Sequence, residues 1–263
     1  MSDTHLRAAR VLRDHRLARL RLPGLDPSVR PADEAGAYAV QDELHGLLSD
    51  AGLGRVTGHK IGCTTRVMQD FLRIPNPCAG GVFESQVYRS PARVRHADFV
   101  RPGVECEMVV RLGSDLQVQR APFDRGKVMD AVSEVMAGME IVDDRYVDYS
   151  RLDTPTLIAD DFFDAGCVLG EPVVDWRALD LPSLSGTTSI NGVEVGRGRG
   201  ADVMGHPFQA LAWLANSLAR RGKSLRAGEF VFTGSVVETK WVHRGDRVVM
   251  TIDGLGTVEA VFE

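Results

Sequence analysis

Val104-Glu105-Cys106-Glu107-Met108-Val109-Val110 sets two glutamates inside an otherwise apolar run. Successive side chains of a β-strand alternate between its faces, so Glu105 and Glu107 point the same way, roughly 6–7 Å apart. Val104, Cys106 and Met108 then face a core on the other side. Two carboxylates on one face repel each other unless something positive lies between them, and hard divalent cations such as Mg²⁺, Mn²⁺ or Ca²⁺ take carboxylate oxygens. A solvated strand face is the alternative, since charged pairs are often simply hydrated.

The surrounding 263 residues suffice for one large domain, or for one domain with a smaller helical appendage. A hydrophobic content of 44% and a charged content of 25% are ordinary for a soluble globular protein. The net charge of −5, without a Lys/Arg cluster, gives nucleic acid no electrostatic footprint. No apolar run approaches membrane-spanning length, and residues 1–21 carry charges throughout instead of an apolar signal core. The expected compartment is therefore the cytoplasm. Cys63, Cys78, Cys106 and Cys167 are widely spread with no CxxC pair, and the histidines form no HExxH. Reduced thiols are expected, and a zinc or histidine-built metal site is not.

Residues 4–20 have the spacing of an amphipathic helix, ended by Pro23-Gly24 and Pro27. A second helix is predicted from about Pro31 to Leu48, stopping before Gly52-Leu53-Gly54. From residue 55 short apolar runs dominate, at 58–62, 81–87, 104–112, 165–169, 230–233 and 247–252. Asn191-Gly192 predicts a tight hairpin across 189–195, and Gly254-Leu255-Gly256 a second one joining 248–252 to 257–262. Two further helices are predicted at about 126–138 and 207–221. The Gly196-Arg197-Gly198-Arg199-Gly200 stretch is taken as a flexible loop, because it lacks the spacing of a nucleotide-binding turn. The fold class expected is α+β, a helical region over 1–55 on a β-rich catalytic body over 56–263.

Two more charged residues interrupt apolar sequence. Glu140 lies between Met139 and Ile141, where a third carboxylate would help complete the oxygen shell of Mg²⁺, or else pair with Arg145. Lys60 sits in Gly58-His59-Lys60-Ile61-Gly62; a dry pocket or a nearby metal would lower its pKa into acid–base range, whereas a surface strand would let it snorkel.

Lys60-Ile61-Gly62, Gly103-Val104-Glu105-Cys106-Glu107, Met139-Glu140-Ile141-Val142-Asp143, Gly205-His206-Pro207 with Trp213-Leu214-Ala215-Asn216, and Phe232-Thr233-Gly234-Ser235 occur in one order. In this the chain resembles the 2-keto-4-pentenoate hydratase family of the fumarylacetoacetate hydrolase-like superfamily, from about residue 35 to the C-terminus. The resemblance implies a β-rich mixed α/β body, Mg²⁺ or Mn²⁺ on Glu105, Glu107 and Glu140, and Lys60 as the acid–base group. It also implies that Thr233, Gly234 and Ser235 meet the substrate carboxylate, and that Asp160 and Arg145 lie in the pocket, although either would serve equally as a structural ion pair. The implied reaction, in the breakdown of aromatic compounds, is addition of water to a 2-hydroxy-2,4-dienoate or 2-oxo-3-enoate, giving a 4-hydroxy-2-oxo acid. A homo-oligomer is implied, with a related decarboxylase or hydratase as a candidate partner.

Two departures stand out. Cys78 takes the place of an aspartate that family hydratases carry after the lysine, and in Ala159-Asp160-Asp161-Phe162-Phe163 the two phenylalanines stand where the family carries small residues at a site implied to line the pocket, which implies a changed substrate tail. The nearest rival reaction is a 4-oxalocrotonate-type decarboxylation. A C–C hydrolase lacks a His-Glu pair to activate water, and a catalytically silent partner subunit would not need the acids and the lysine together.

Overall fold

The structure is a computed structural model that describes residues 3–263. Helices α1 (Asp3–Ala18) and α2 (Glu34–Leu48) pack on each other, and Asp33 caps α2 by accepting from the Gly36 N–H. After a π-helical turn over Ser49–Leu53 the chain enters β1 (Val56–Gly62), α3 (Arg66–Leu72), β2 (Cys78–Phe83), β3 (Val87–Arg89), β4 (Ala92–Val94) and β5 (Pro102–Leu112). Then come α4 (Arg125–Ala131), β6 (Val132–Asp143), α5 (Thr154–Ala159), β7 (Asp164–Leu169), β8 (Ser185–Ile190) and β9 (Val193–Arg199). The chain closes with α6 (Pro207–Arg220), β10 (Phe230–Trp241), β11 (Arg247–Ile252) and β12 (Gly256–Phe262). No helix among the described residues is long and apolar enough to cross a membrane.

The strands form a seven-stranded sheet, ordered β2-β1-β10-β5-β6-β7-β3, and a five-stranded sheet, ordered β4-β12-β11-β8-β9. Val104, Cys106 and Met108 are fully buried, and Cys106 Sγ lies 3.9 Å from the Thr187 carbonyl on β8. That face of β5 therefore packs against the second sheet, and the face bearing Glu105 and Glu107 turns the other way. The large sheet curls until β2 approaches β7. Inside the curl, Val82, Val109, Met136, Cys167, Leu169, Phe230 and Phe232 form a separate apolar plug, and the acids lie beside it on the same face.

Several expectations are corrected. The helix predicted at 126–138 ends at Ala131, and Val132–Asp143 is the long strand β6. Val128, Ala131, Val132, Val135 and Met136 satisfy helical spacing, but β6 lies between β5 and β7 and is buried on both faces, so its sequence loses the period-two signal. The run at 81–87 breaks after Phe83 into a 3₁₀ turn and β3. The stretch 196–200 is not a flexible loop: it is the end of β9 and the start of a 3₁₀ turn. Its glycines admit β10, since a Cβ at Gly198 would lie 1.7 Å from the Val236 carbonyl oxygen. The Asn191-Gly192 hairpin forms as expected, with φ of +53° and +82° at the two turn residues.

Candidate active site and metal centre

Antiparallel pairing of β5 with β6 sets Glu105 directly opposite Glu140, and pairing of β10 with β5 sets Ser235 opposite Glu107. One carboxylate oxygen from each of Glu105, Glu107 and Glu140 lies within 4.8 Å of the others. Glu107 and Glu140 are buried and Glu105 is half-buried. Like charges placed opposite one another on a sheet are destabilising, and buried carboxylate oxygens normally have partners. Here Glu107 Oε1 and Glu140 Oε2 have no hydrogen-bond partner. Three convergent carboxylates with unused buried oxygens, and no sulfur or nitrogen donor among them, fit a hard divalent cation such as Mg²⁺ or Mn²⁺.

The rest of the shell holds these acids in place. Glu107 Oε2 accepts from the Gly234 N–H at 2.7 Å, and Glu105 Oε1 accepts from the Thr239 hydroxyl. Gly234 occupies a register shift in β10 at φ +121°, and a Cβ there would lie 2.5 Å from Thr64 Oγ1. Burial, with repulsion from Glu140 and Glu105, raises the Glu107 carboxyl well above the usual range. Glu140 is pushed up to about 7 by burial, against the opposing pull of Lys60.

Lys60, on β1, is buried with its Nζ 3.0 Å from Glu140 Oε1, and it donates to the Phe162 carbonyl at 2.8 Å. The alternative weighed for Glu140, a pair with Arg145, does not form; Arg145 instead pairs with Asp160 at 3.1 Å. Lowering of the Lys60 pKa is also corrected. Burial alone would lower it, but Glu140, Glu105 and Asp164 outweigh burial and hold the ammonium above its ordinary value.

Phe162 belongs to a run that sequence reasoning did not single out as special backbone. Asp161, Phe162 and Phe163 have φ of +57°, +49° and +69°, a left-handed conformation that costs energy in non-glycine residues. The Asp161 carboxylate holds this run: Arg16 Nη1 donates to it at 2.8 Å, the Gly81 N–H at 3.0 Å, and His45 Nε2 lies 2.6 Å away. Burial alone would raise Asp161, but His45, Arg16 and the Gly81 amide hold it well below the usual carboxylate range. Arg16 and His45 come from α1 and α2, so the N-terminal helices reach the backbone that receives Lys60. The Phe162 ring fills the space over Gly62, where a Cβ would lie 2.6 Å from it.

A pocket of about 430 Å³ borders this cluster. Lys60, Glu105, Phe162 and Ser235 line it, and Gly234 lies beneath it on Glu107. Thr233 does not line it; its hydroxyl is buried and donates to the Met108 carbonyl at 2.8 Å, joining β10 to β5. Asp160 is likewise outside the wall, accepting from the Tyr146 hydroxyl at 2.9 Å as well as from Arg145. Cys78 is buried on β2 opposite Gly62, behind the pocket floor, and burial pushes its thiol up.

The fumarylacetoacetate (FAA) hydrolase C-terminal family profile matches residues 77–263. Over 230 residues the chain is 34% identical to a 2-keto-4-pentenoate hydratase of Burkholderia vietnamiensis, covering 88% of this chain and 86% of that one. It is 36% identical over 222 residues to a 2-hydroxyhexa-2,4-dienoate hydratase of Comamonas testosteroni, covering 83% of each. The 4-oxalocrotonate decarboxylase of Pseudomonas putida G7, complexed with magnesium and adipate, superposes with a TM-score of 0.93 at 26% identity, over 100% of this chain and 99% of that one. The ordered motifs, the curled sheet and these similarities agree: the chain belongs to the fumarylacetoacetate hydrolase family, in its 2-keto-4-pentenoate hydratase branch.

Proposed function

We propose that this protein is a Mg²⁺- or Mn²⁺-dependent hydratase that adds water to a 2-hydroxy-2,4-dienoate or 2-oxo-3-enoate, giving a 4-hydroxy-2-oxo acid. The observation that carries the reading is the convergence of Glu105, Glu107 and Glu140 within 4.8 Å, with the Lys60 ammonium 3.0 Å from Glu140, at the base of a mostly apolar pocket. These three acids would hold the cation, which when bound supplies Lewis-acid stabilisation of negative charge at the C2 oxygen of a 2-oxo acid. The Gly234 N–H engages Glu107 Oε2 and leaves Oε1 free for a ligand. Lys60, 3.0 Å from Glu140, would shuttle the proton: as water adds its hydroxyl at C4 of the 2-oxo-3-enoate, the proton it gives up passes to C3, and the lysine ends in its starting state. Phe162 and Phe163 wall off bulk water beside the lysine, which keeps that proton from being lost to solvent.

A second reading, decarboxylation of a dicarboxylic 2-oxo acid, is favoured by the closeness of the superposition with the decarboxylase. The two are separated by following loss of dienoate absorbance and release of CO₂ on both substrate types. Glu140→Gln is expected to abolish Mg²⁺ binding in calorimetry and turnover on either substrate, with an unchanged circular dichroism spectrum. Full activity in protein stripped with EDTA would overturn the metal-dependent mechanism.

A further inference from the structure

We infer that a second pocket, separate from the active site, binds a short-chain organic oxyanion: a carboxylate or a phosphate monoester with an apolar body of a few carbons. The inference goes beyond the hydratase reading and does not depend on it.

This pocket, of about 390 Å³, lies where the ends of α1 and α2 meet β3 and the turn after β4. It shares no lining residue with the active-site pocket, and its volume suits a small organic ligand. Four guanidinium groups line it, those of Arg16, Arg19, Arg95 and Arg145. Arg16 and Arg145 have side chains more than nine-tenths buried and are neutralised from behind, Arg16 by Asp161 at 2.8 Å and Arg145 by Asp160 at 3.1 Å. They form a fixed back wall.

The uncommitted donors are at the rim. Arg19 and Arg95 are exposed, and both donate to the same oxygen, Asp98 Oδ1, at 2.9 and 3.0 Å, so two cations share one anion. Among the described residues the Nη1 of each has no partner, and neither does the Tyr88 hydroxyl on the adjacent β3. Asp143, the other acid on the wall, is taken up by the Val100 and Arg101 N–H groups. The Gln86 side-chain oxygen is buried without a partner, and turning that amide over presents N–H groups in its place. Unused guanidinium edges beside a phenol hydroxyl match the oxygens of a carboxylate or phosphate. Leu17, Leu48, Leu53 and Phe99 supply the apolar lining on which the ligand's carbon chain would lose water.

Calorimetry of the Mg²⁺-loaded protein with butyl phosphate, pentanoate and inorganic phosphate tests this. At least one of the two organic anions is expected to bind, and the tighter of them identifies the head group. Inorganic phosphate, which lacks the chain, is expected to bind about tenfold or more weakly than butyl phosphate. Arg95→Gln and Tyr88→Phe, neither of them in the active site, are each expected to weaken binding about tenfold with an unchanged circular dichroism spectrum. Glu140→Gln, which removes the metal site, is expected to leave the affinity unchanged. Absence of binding by both organic anions, affinity unaltered in both Arg95→Gln and Tyr88→Phe, or binding lost in Glu140→Gln would overturn the inference. Inorganic phosphate binding as tightly as butyl phosphate would overturn the assignment of the apolar lining to a carbon chain. Failure of the hydratase reading shows in turnover and leaves each of these outcomes untouched.

Discussion

Replacing Asp161 with asparagine removes the charge that Arg16 and His45 share while keeping the side chain's shape. Asp161 is fully buried, and the Arg16 and His45 side chains are mostly so. Breaking one partner out of such a buried network costs about 3–5 kcal/mol. At about 2.1 cal/mol/K per residue, a 263-residue chain unfolds with an entropy near 0.55 kcal/mol/K, so the melting temperature should fall by about 5–9 °C. The same change loosens the left-handed run that aims the Phe162 carbonyl at Lys60. Loss of a hydrogen bond to a charged group is worth about 1.5–3 kcal/mol, or about 10–150-fold in kcat when fully expressed in the transition state. Differential scanning calorimetry and steady-state kinetics on the Mg²⁺-loaded protein measure both effects. Arg16→Gln should act on the same network, so the double variant should lose less than the two single losses combined. A melting temperature within a degree of the parent would refute the energetic reasoning. A full melting loss with unchanged kcat would refute the link between the N-terminal helices and the lysine.

Two further outcomes follow from the same geometry. In metal-free protein Glu140 is raised from the ordinary glutamate value to about 7, so between about pH 4.5 and 7 the folded chain binds more protons than the unfolded one. Its contribution to stability is therefore present at low pH and lost as pH rises through that window, while a cation competes better as the proton leaves. The thermal stabilisation given by Mg²⁺ should grow from pH 5 to pH 8, and a stabilisation that does not vary with pH would contradict the assignment. Thr233→Val should cost about 1 kcal/mol through loss of the bond to Met108 yet change kcat by less than about threefold, because the hydroxyl does not reach the pocket. A large fall in kcat with little change in melting temperature would instead place that hydroxyl on the substrate.

The carboxylates were legible because a charge inside an apolar run is rare enough to demand a reason, and strand alternation fixed the faces of Glu105 and Glu107. Glu140 stood out in the same way, although the strand that carries it read as helix through Val132 and Met136. Burial on both faces erases the alternation that would have corrected this. The Asp161 clamp was illegible for a different reason: Arg16 and His45 are 145 and 116 positions away from Asp161, and no local pattern links them. The direction of the Lys60 shift also escaped, since burial and neighbouring carboxylates act oppositely on an ammonium and only their distances decide which prevails. Cys78 marked a real departure in the sequence, but not its depth behind Gly62.

Within the large sheet, β10 is inserted between β1 and β5, and its parallel contact with β1 joins Lys60 to Phe232, 172 positions further along the chain. Parallel pairing across so long an intervening segment is among the slowest kinds of closure a polypeptide makes. The native lattice that sets the proton donor on β1 beside the acids on β5 and β6 is complete only once β10 has paired with both neighbours. Recovery of turnover after denaturation should therefore report on that long-range pairing.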